Sequence, residues 1–205
     1  TVRKRAALMA EPFIRRYDAE DRDDVAYVCL LTGDSGTDAR GLHRDDSIVA
    51  DVFCLPYLEY APDLAFVVDD GTGTAVGYII GVADTDAFSR WFVESWWPPL
   101  ASRYPVQTPP ADLQDQWATD ASTRRTNDHP EYPAHLHIDL LPAVQGRGFG
   151  RALVETFLDA LRDRGVPGVH LGASADNDGA LAFYPRVGFE ALPPSDGVVT
   201  FVRRL

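Results

Sequence analysis

His135, His137 and Asp139 alternate with Leu136, Ile138 and Leu140, and this period of two puts the three polar residues on one face of a strand. Two imidazoles and a carboxylate on one face suit proton acceptance near neutral pH. The same trio also suits a plain role as hydrogen-bonding partners of other elements, and the sequence leaves both open. Pro142 closes the strand, and Gly146, Gly148 and Gly150 follow in the run QGRGFGR, 145–151. Leu153, Val154, Phe157, Leu158 and Leu161 then recur at helical spacing. A glycine-rich turn feeding a helix start offers unpaired N–H groups and the positive end of the helix dipole. That is a site for a pyrophosphate.

Two nucleotide loops are excluded by their own spacing. A P-loop requires a Lys after its last glycine, and none follows here. The dinucleotide fingerprint requires a third glycine where Arg151 stands. What remains is Gln145-x-x-Gly148-x-Gly150, which resembles the coenzyme A loop of the GNAT superfamily of N-acetyltransferases. Downstream, Gly165 and Pro167 end the first helix, and Val169–Ala173 reads as a short apolar strand. Asp176 or Asn177 can cap a second helix. Asn177, Ala180, Phe183, Tyr184, Gly188 and Phe189 match the family pattern N-x-x-A-x-x-F-Y-x-x-x-G-F at each step. The run PGVHLGASADN, 167–177, further resembles the acetyltransferase-like C-terminal domain of O-GlcNAcases and its free-standing bacterial relatives. The likeness covers 133–204 and is topological before that.

The resemblance implies an α/β (α+β) GNAT fold, a mixed central sheet of six to seven strands flanked by helices, with a helical and loop insertion at about 84–132. It implies acetyl-CoA or coenzyme A as cofactor. Gln145, Gly146, Arg147, Gly148, Phe149, Gly150 and Arg151 would hold it at the loop, with Arg147 and Arg151 adding charge-assisted contacts. The strand edge at Ile138 and Leu140 would pair with the pantetheine arm, and Asn177, Ala180, Phe183 and Tyr184 complete the set. Tyr184 would protonate the departing sulfur, for which a phenol of pKa ~10 is a sensible acid. The candidates for the base are His137, its neighbour His135, Asp139 and Asp176. The family often carries its base on the other parity of the strand, where Ala134 and Leu136 stand, and a bulge would be needed to switch the faces. Pro185 falls inside the second helix, where a missing N–H predicts a kink or tightening just after Tyr184.

The implied activity is transfer of acetyl to a primary amine by direct attack on the thioester, the acceptor being a small molecule or a protein lysine. The alternative is a non-catalytic acetyl-CoA-binding module of the same fold. The chain is expected to act as a monomer or homodimer. No metal is expected: His135-x-His137 lacks further ligands at sensible spacing. A serine-hydrolase elbow is also missing.

Length and composition agree with a globular enzyme. At 205 residues, with 45% hydrophobic and 24% charged, the chain suits one domain, 11–205, after a loose N-terminal tail at 1–10. No apolar run approaches the ~20 residues of a membrane span. A net charge of −12 argues against nucleic acid and suits cationic amines. Cys29 and Cys54 sit among apolar neighbours and form no CxxC pair, which points to buried thiols in a reducing cytoplasm.

The first half reads as β-α-α-β-β. Phe13–Tyr17 is a strand, Glu20–Thr32 a helix capped by Asp18, and Ser47–Tyr57 a helix stopped near Pro56. Leu64–Val68 and Ala75–Val82 flank a hairpin signal at 69–73. Phe88, Trp91, Phe92 and Trp96 recur at helical spacing, either packed or walling a substrate pocket. Residues 105–133 are proline-rich and polar, with a short helix at Asp112–Ala118, and read as a lid or a mobile stretch. Val198–Arg203 closes the chain as a strand.

Overall fold

The computed structural model describes residues 11–123 and 127–205, so the tail expected at 1–10 lies outside the described residues. Phe13–Arg16 forms β1. Asp18 then makes a capping box with Asp21 over a short 3-10 turn, and α1 follows at Arg22–Thr32 with Val25, Val28, Cys29 and Thr32 buried. The single helix expected over 47–57 is instead two, α2 at Ser47–Phe53 and α3 at Leu55–Tyr60. Cys54 leaves helical geometry between them. Pro56 begins the second helix rather than stopping the first, because a first turn has no use for the N–H that proline lacks. Helix α3 carries Tyr57.

Strand β2 is Phe66–Asp69, and Leu64 belongs to the 3-10 turn before it. The hairpin signal is met: Asp69 accepts from the amides of Gly71 at 2.8 Å and Gly73 at 3.0 Å, and β3 runs Ala75–Val82. The insertion begins with α4, Thr85–Trp91, capped by Asp84 and followed by one π-helical turn at Phe92–Trp96. Helix α5, Leu113–Ala121, is capped by Asp112. The described part of this segment is pinned to the body. Asp115 is fully buried and paired with Arg44, while Tyr104 stacks on Trp97 and donates to Asp51 at 2.5 Å.

The second half follows the expected order: β4 at Ala134–Leu140, α6 at Phe149–Arg162, β5 at Gly168–Ser174, α7 at Asp178–Arg186, a two-residue β6 at Glu190–Ala191 and β7 at Val198–Arg204. Asn177, not Asp176, caps α7, accepting from the Ala180 amide at 2.9 Å. Pro185 lies in the last turn. The helix tightens there rather than kinking, with amide–carbonyl bonds Val187→Tyr184 and Gly188→Pro185, and Phe189→Tyr184 closes it with Gly188 at φ +83.

The strands form one seven-stranded sheet in the order β1-β2-β3-β4-β5-β7-β6. Every neighbouring pair is antiparallel except β4 and β5. Helix α6 covers one face with Leu153, Val154, Phe157, Leu158 and Leu161 fully buried, each contributing roughly 1.5–3 kcal/mol. The other face carries α1, α2 and α3, whose Val25, Val28, Ile48, Val49 and Leu58 are buried.

Strand β3 meets α6 at Gly81, where an added Cβ would stand 2.3 Å from the His135 carbonyl oxygen and 2.5 Å from the Phe157 ring. Backbone and a packed ring cannot both give way. Gly81→Ala should therefore destabilise the fold by about 3 kcal/mol, read from the urea unfolding midpoint. Gly179→Ala, where the Cβ would meet nothing closer than 3.4 Å, is the tolerated control.

Candidate active site

Strand β4 is bonded to β3 along its whole length, and the Leu141 amide continues the ladder to the Val76 carbonyl at 3.0 Å. Opposed residues of an antiparallel pair exchange both bonds or neither. The backbones of Asp139, His137 and His135 therefore turn toward β3, and those of Leu136, Ile138 and Leu140 turn away from it, toward β5. Strand β5, however, pairs with β4 only at Ala134–Val169 and His135–His170. Beyond that rung the two strands part, and the backbones of Ile138 and Leu140 lie on an open edge. The Leu140 carbonyl there accepts from the Gln145 side chain at 2.8 Å.

The open edge leads into the glycine turn. Gly146 and Gly148 both hold positive φ, and nothing stands within 4 Å of where their side chains would be. Gly148 is the N-cap of α6. Among the described residues, the amides of Gly146, Gly148, Gly150 and Arg151 meet no protein acceptor. Gly150 is buried where the helix passes the Phe183 ring, 3.2 Å from the position of a Cβ. The two arginines are turned elsewhere. Arg147 pairs with exposed Glu11 at 3.0 Å and lies 5.7 Å over the Phe149 ring, while Arg151 donates to the Arg186 carbonyl at 2.6 Å. An exposed pair such as Arg147–Glu11 contributes little and is readily exchanged.

Tyr184 lies across the split from β4, buried against Phe201 with ring centroids 5.0 Å apart. Burial, reinforced by the Asp139 charge, holds its phenol above the usual value, so it is protonated at neutral pH. Ala180 and Phe183 sit half-buried on the same helix. Asn177 spends its side-chain oxygen on the cap.

The base candidates separate. The β3–β4 register runs without a bulge, so the trio keeps its face and the parity is not switched. Asp139 accepts from Tyr78 at 2.6 Å. Burial pushes its carboxyl up to about 7, against the pull of hydrogen bonds from Tyr78 and Thr32. His137 is pulled down to about 4 by burial alone, and His135 falls well below its usual value through burial and its two histidine neighbours. Both imidazoles are neutral at pH 7. Asp176 is exposed in the turn after β5, its amide donating to Ser174 Oγ at 3.2 Å, and it does not line the cleft.

His135 and His137 line a cleft of about 870 Å³ on the α1–α3 side of the sheet, with Phe53, Tyr57, Phe88 and Trp117 as its aromatic walls. Phe88 and Phe92 thus both pack and line the cleft, so neither of the two roles weighed for them excludes the other. Tyr57, Thr85 and Tyr78 are the residues the sequence did not single out. Tyr57 lies 78 and 80 positions from the histidines it bonds, and no local pattern joins them. Among the described residues no three His, Cys, Asp or Glu side chains gather as a metal site, and no helix is long and apolar enough to cross a membrane. Cys29 and Cys54 are free, buried thiols.

The chain belongs to the acetyltransferase (GNAT) family, whose model matches residues 37–189. It is 43% identical over 63 residues to the mycothiol acetyltransferase of Rhodococcus erythropolis, covering 31% of this chain and 21% of that protein. It is 50% identical over 60 residues to the N-alpha-acetyltransferase RimI of Mycobacterium tuberculosis, covering 29% of this chain and 35% of that protein. The chain thus spans only about a fifth to a third of the length of these curated relatives. The crystal structure of SsHAT superposes with a TM-score of 0.90 at 41% identity, covering 95% of this chain and 98% of that one. The fold is shared with yncA of Salmonella typhimurium, a structure with acetyl-CoA, at a TM-score of 0.56, 16% identity, and coverage of 95% and 94%. The GNAT fold and the mixed sheet of six to seven strands that the resemblance implied are borne out, the sheet having seven, and acetyl-CoA is the cofactor that goes with this family.

The raised carboxyl of Asp139 has a signed consequence. Its folded pKa lies above the unfolded value, so it favours folding at low pH and loses that contribution as pH rises through about 7. The depressed histidines act oppositely, their contribution being lost as pH falls below about 6.5. Asp139→Asn should therefore gain thermal stability relative to wild type as pH rises from 5 to about 8. Parallel melting curves across that range would refute the shift.

Proposed function

We propose that the protein transfers the acetyl group of acetyl-CoA to a primary amine by direct attack on the thioester. The observation that carries this reading is the parting of β4 from β5 between a turn of unclaimed amides and a buried, protonated tyrosine. The residues present fit the cofactor. The amides of Gly146, Gly148, Gly150 and Arg151 would hold the pyrophosphate, with the α6 dipole favouring its charge. Arg147 and Arg151 are near enough in sequence to exchange their present partners for it. Ile138 and the Leu140 amide would pair with the pantetheine arm, beside Asn177, Ala180 and Phe183, while Gln145 holds the Leu140 carbonyl.

Bound acetyl-CoA supplies an electrophilic carbonyl and a sulfur leaving group. Tyr184 holds the proton that the sulfur needs, in a setting that keeps the phenol from ionising first. His137 or Asp139 would take the proton from the amine, both standing on the face of β4 that the cleft exposes or the core encloses. An acidic surface, with a net charge of −12, favours cationic acceptors reaching that cleft. The relatives named for mycothiol and for N-alpha-acetylation support acyl transfer and leave the acceptor open. Kinship to the acetyltransferase-like domain of O-GlcNAcases rests on 167–177 and belongs to the same proposal, as do a reducing cytoplasm, consistent with two free thiols, and a single domain over 11–205.

Calorimetric titration with acetyl-CoA, followed by thiol release over a panel of amines, tests the proposal. Tyr184→Phe should bind acetyl-CoA as wild type does and lower kcat by about 10²-fold. Binding without transfer to any amine would favour the alternative, a module that holds the cofactor only. Failure to bind would remove both.

A further inference from the structure

The directions of four hydrogen bonds beside the cleft are forced by their chemistry. Thr85 Oγ1 lies 2.7 Å from the Pro133 carbonyl, which only accepts, so the single hydroxyl proton points there. Thr85 Oγ1 is also 2.8 Å from His135 Nδ1, and having spent its proton it must accept from that nitrogen. His135 is therefore the Nδ1–H tautomer, and its Nε2 is a bare acceptor. The Tyr57 hydroxyl, 2.9 Å from that Nε2, donates to it. The same hydroxyl lies 2.9 Å from His137 Nε2, and with its proton committed it accepts there. His137 is left as the Nε2–H tautomer with a lone pair on Nδ1.

That lone pair is reachable. His137 Nδ1 has no partner among the described residues, yet none of their buried side-chain nitrogens or oxygens goes unpartnered, so this atom is open to the cleft that His137 lines. We propose that Tyr57 is the positioning residue of the site: through the chain Pro133–Thr85–His135–Tyr57 it locks His137 in one tautomer and presents Nδ1 as the proton acceptor for the incoming amine. The proposal rests on the acetyltransferase reading above and chooses between the base candidates left there.

The step balances. The amine nitrogen bonds to the acetyl carbonyl carbon and gives a proton to His137 Nδ1; the carbon–sulfur bond breaks, and the sulfur takes the Tyr184 proton. The products are an amide and a free thiol, and solvent returns the proton from His137 to Tyr184. Tyr57 itself touches neither substrate nor cofactor in this scheme. Its packing is kept by phenylalanine, since its ring stacks on Phe88 at 4.5 Å and contributes to the wall independently of the hydroxyl.

The test uses the whole chain labelled with ¹⁵N-histidine. Two-bond proton–nitrogen spectra distinguish the tautomers, and His137→Asn assigns its signals among the five histidines. Wild type should show opposite tautomers, Nδ1–H for His135 and Nε2–H for His137. Tyr57→Phe should release His137 into a mixture and lower kcat/KM for spermidine, tyramine or a lysine peptide by roughly 10²-fold, with the KM for acetyl-CoA unchanged. An Nδ1–H tautomer at His137 in wild type would overturn the proposal, as would a Tyr57→Phe protein with wild-type spectra and kinetics. A wild type that transfers to none of these amines would remove the acceptor role together with the proposed function. The tautomer signals would still report whether Tyr57 orders the ring, so the two failures are told apart.

Discussion

One broken ladder governs this molecule. Strands β4 and β5 share a rung at 134–135 and then diverge, in a sheet whose other long strands stay paired. A backbone amide or carbonyl taken from water without a partner costs free energy comparable to a lost hydrogen bond. The parted edge leaves backbone groups that an extended ligand could pair with, as proposed, and the glycine turn at its end leaves amides that an anion could use. Both openings are held by rigid elements. Helix α6 is anchored by five fully buried apolar side chains, and β4 is bonded to β3 throughout.

Polar groups on the opposite face of β4 create a second constraint. Asp139, His137 and His135 are crowded beneath α1 and α3, where a charge is expensive. Burial pushes all three toward the neutral form, and each is hydrogen-bonded to a hydroxyl: Tyr78 for Asp139, Tyr57 for both histidines and Thr85 for the inner one. Satisfied networks of this kind rigidify their surroundings, because breaking one bond strands a buried partner. The insertion adds the outer wall. Its hold on the body is apolar, through buried Phe88, Phe92, Trp97 and Ala118, and polar, through Arg44 reaching buried Asp115 and Tyr104 on Asp51.

The glycine turn and the α7 cap were legible because each is a local solution. Gly148 at a positive φ, Asn177 accepting from Ala180 and Gly188 closing the helix each involve only a few neighbouring residues. The edge at Ile138 and Leu140 was singled out through resemblance, and the parting of β4 from β5 that opens it was not legible in either strand. Pro56 was misread for a physical reason: proline suits a helix start as well as a stop, and only Cys54 leaving helical geometry decided between them. The proline-rich stretch, read as a lid or a mobile segment, is tied to the body at Asp115, which is buried against Arg44 from 71 positions away, a pairing no local pattern shows.

The sequence by itself determined what short-range sterics and periodicity determine: the strand with two chemically different faces, the glycine turn before a helix, the helix faces and the tyrosine in the last turns of α7. Tertiary structure alone decided the charge and the hydrogen-bond partners of those polar residues, because both depend on groups that arrive from α3, α4 and β3. Hydrogen-bond direction is a property of a closed chain of groups, and no single stretch of this polypeptide contains that chain.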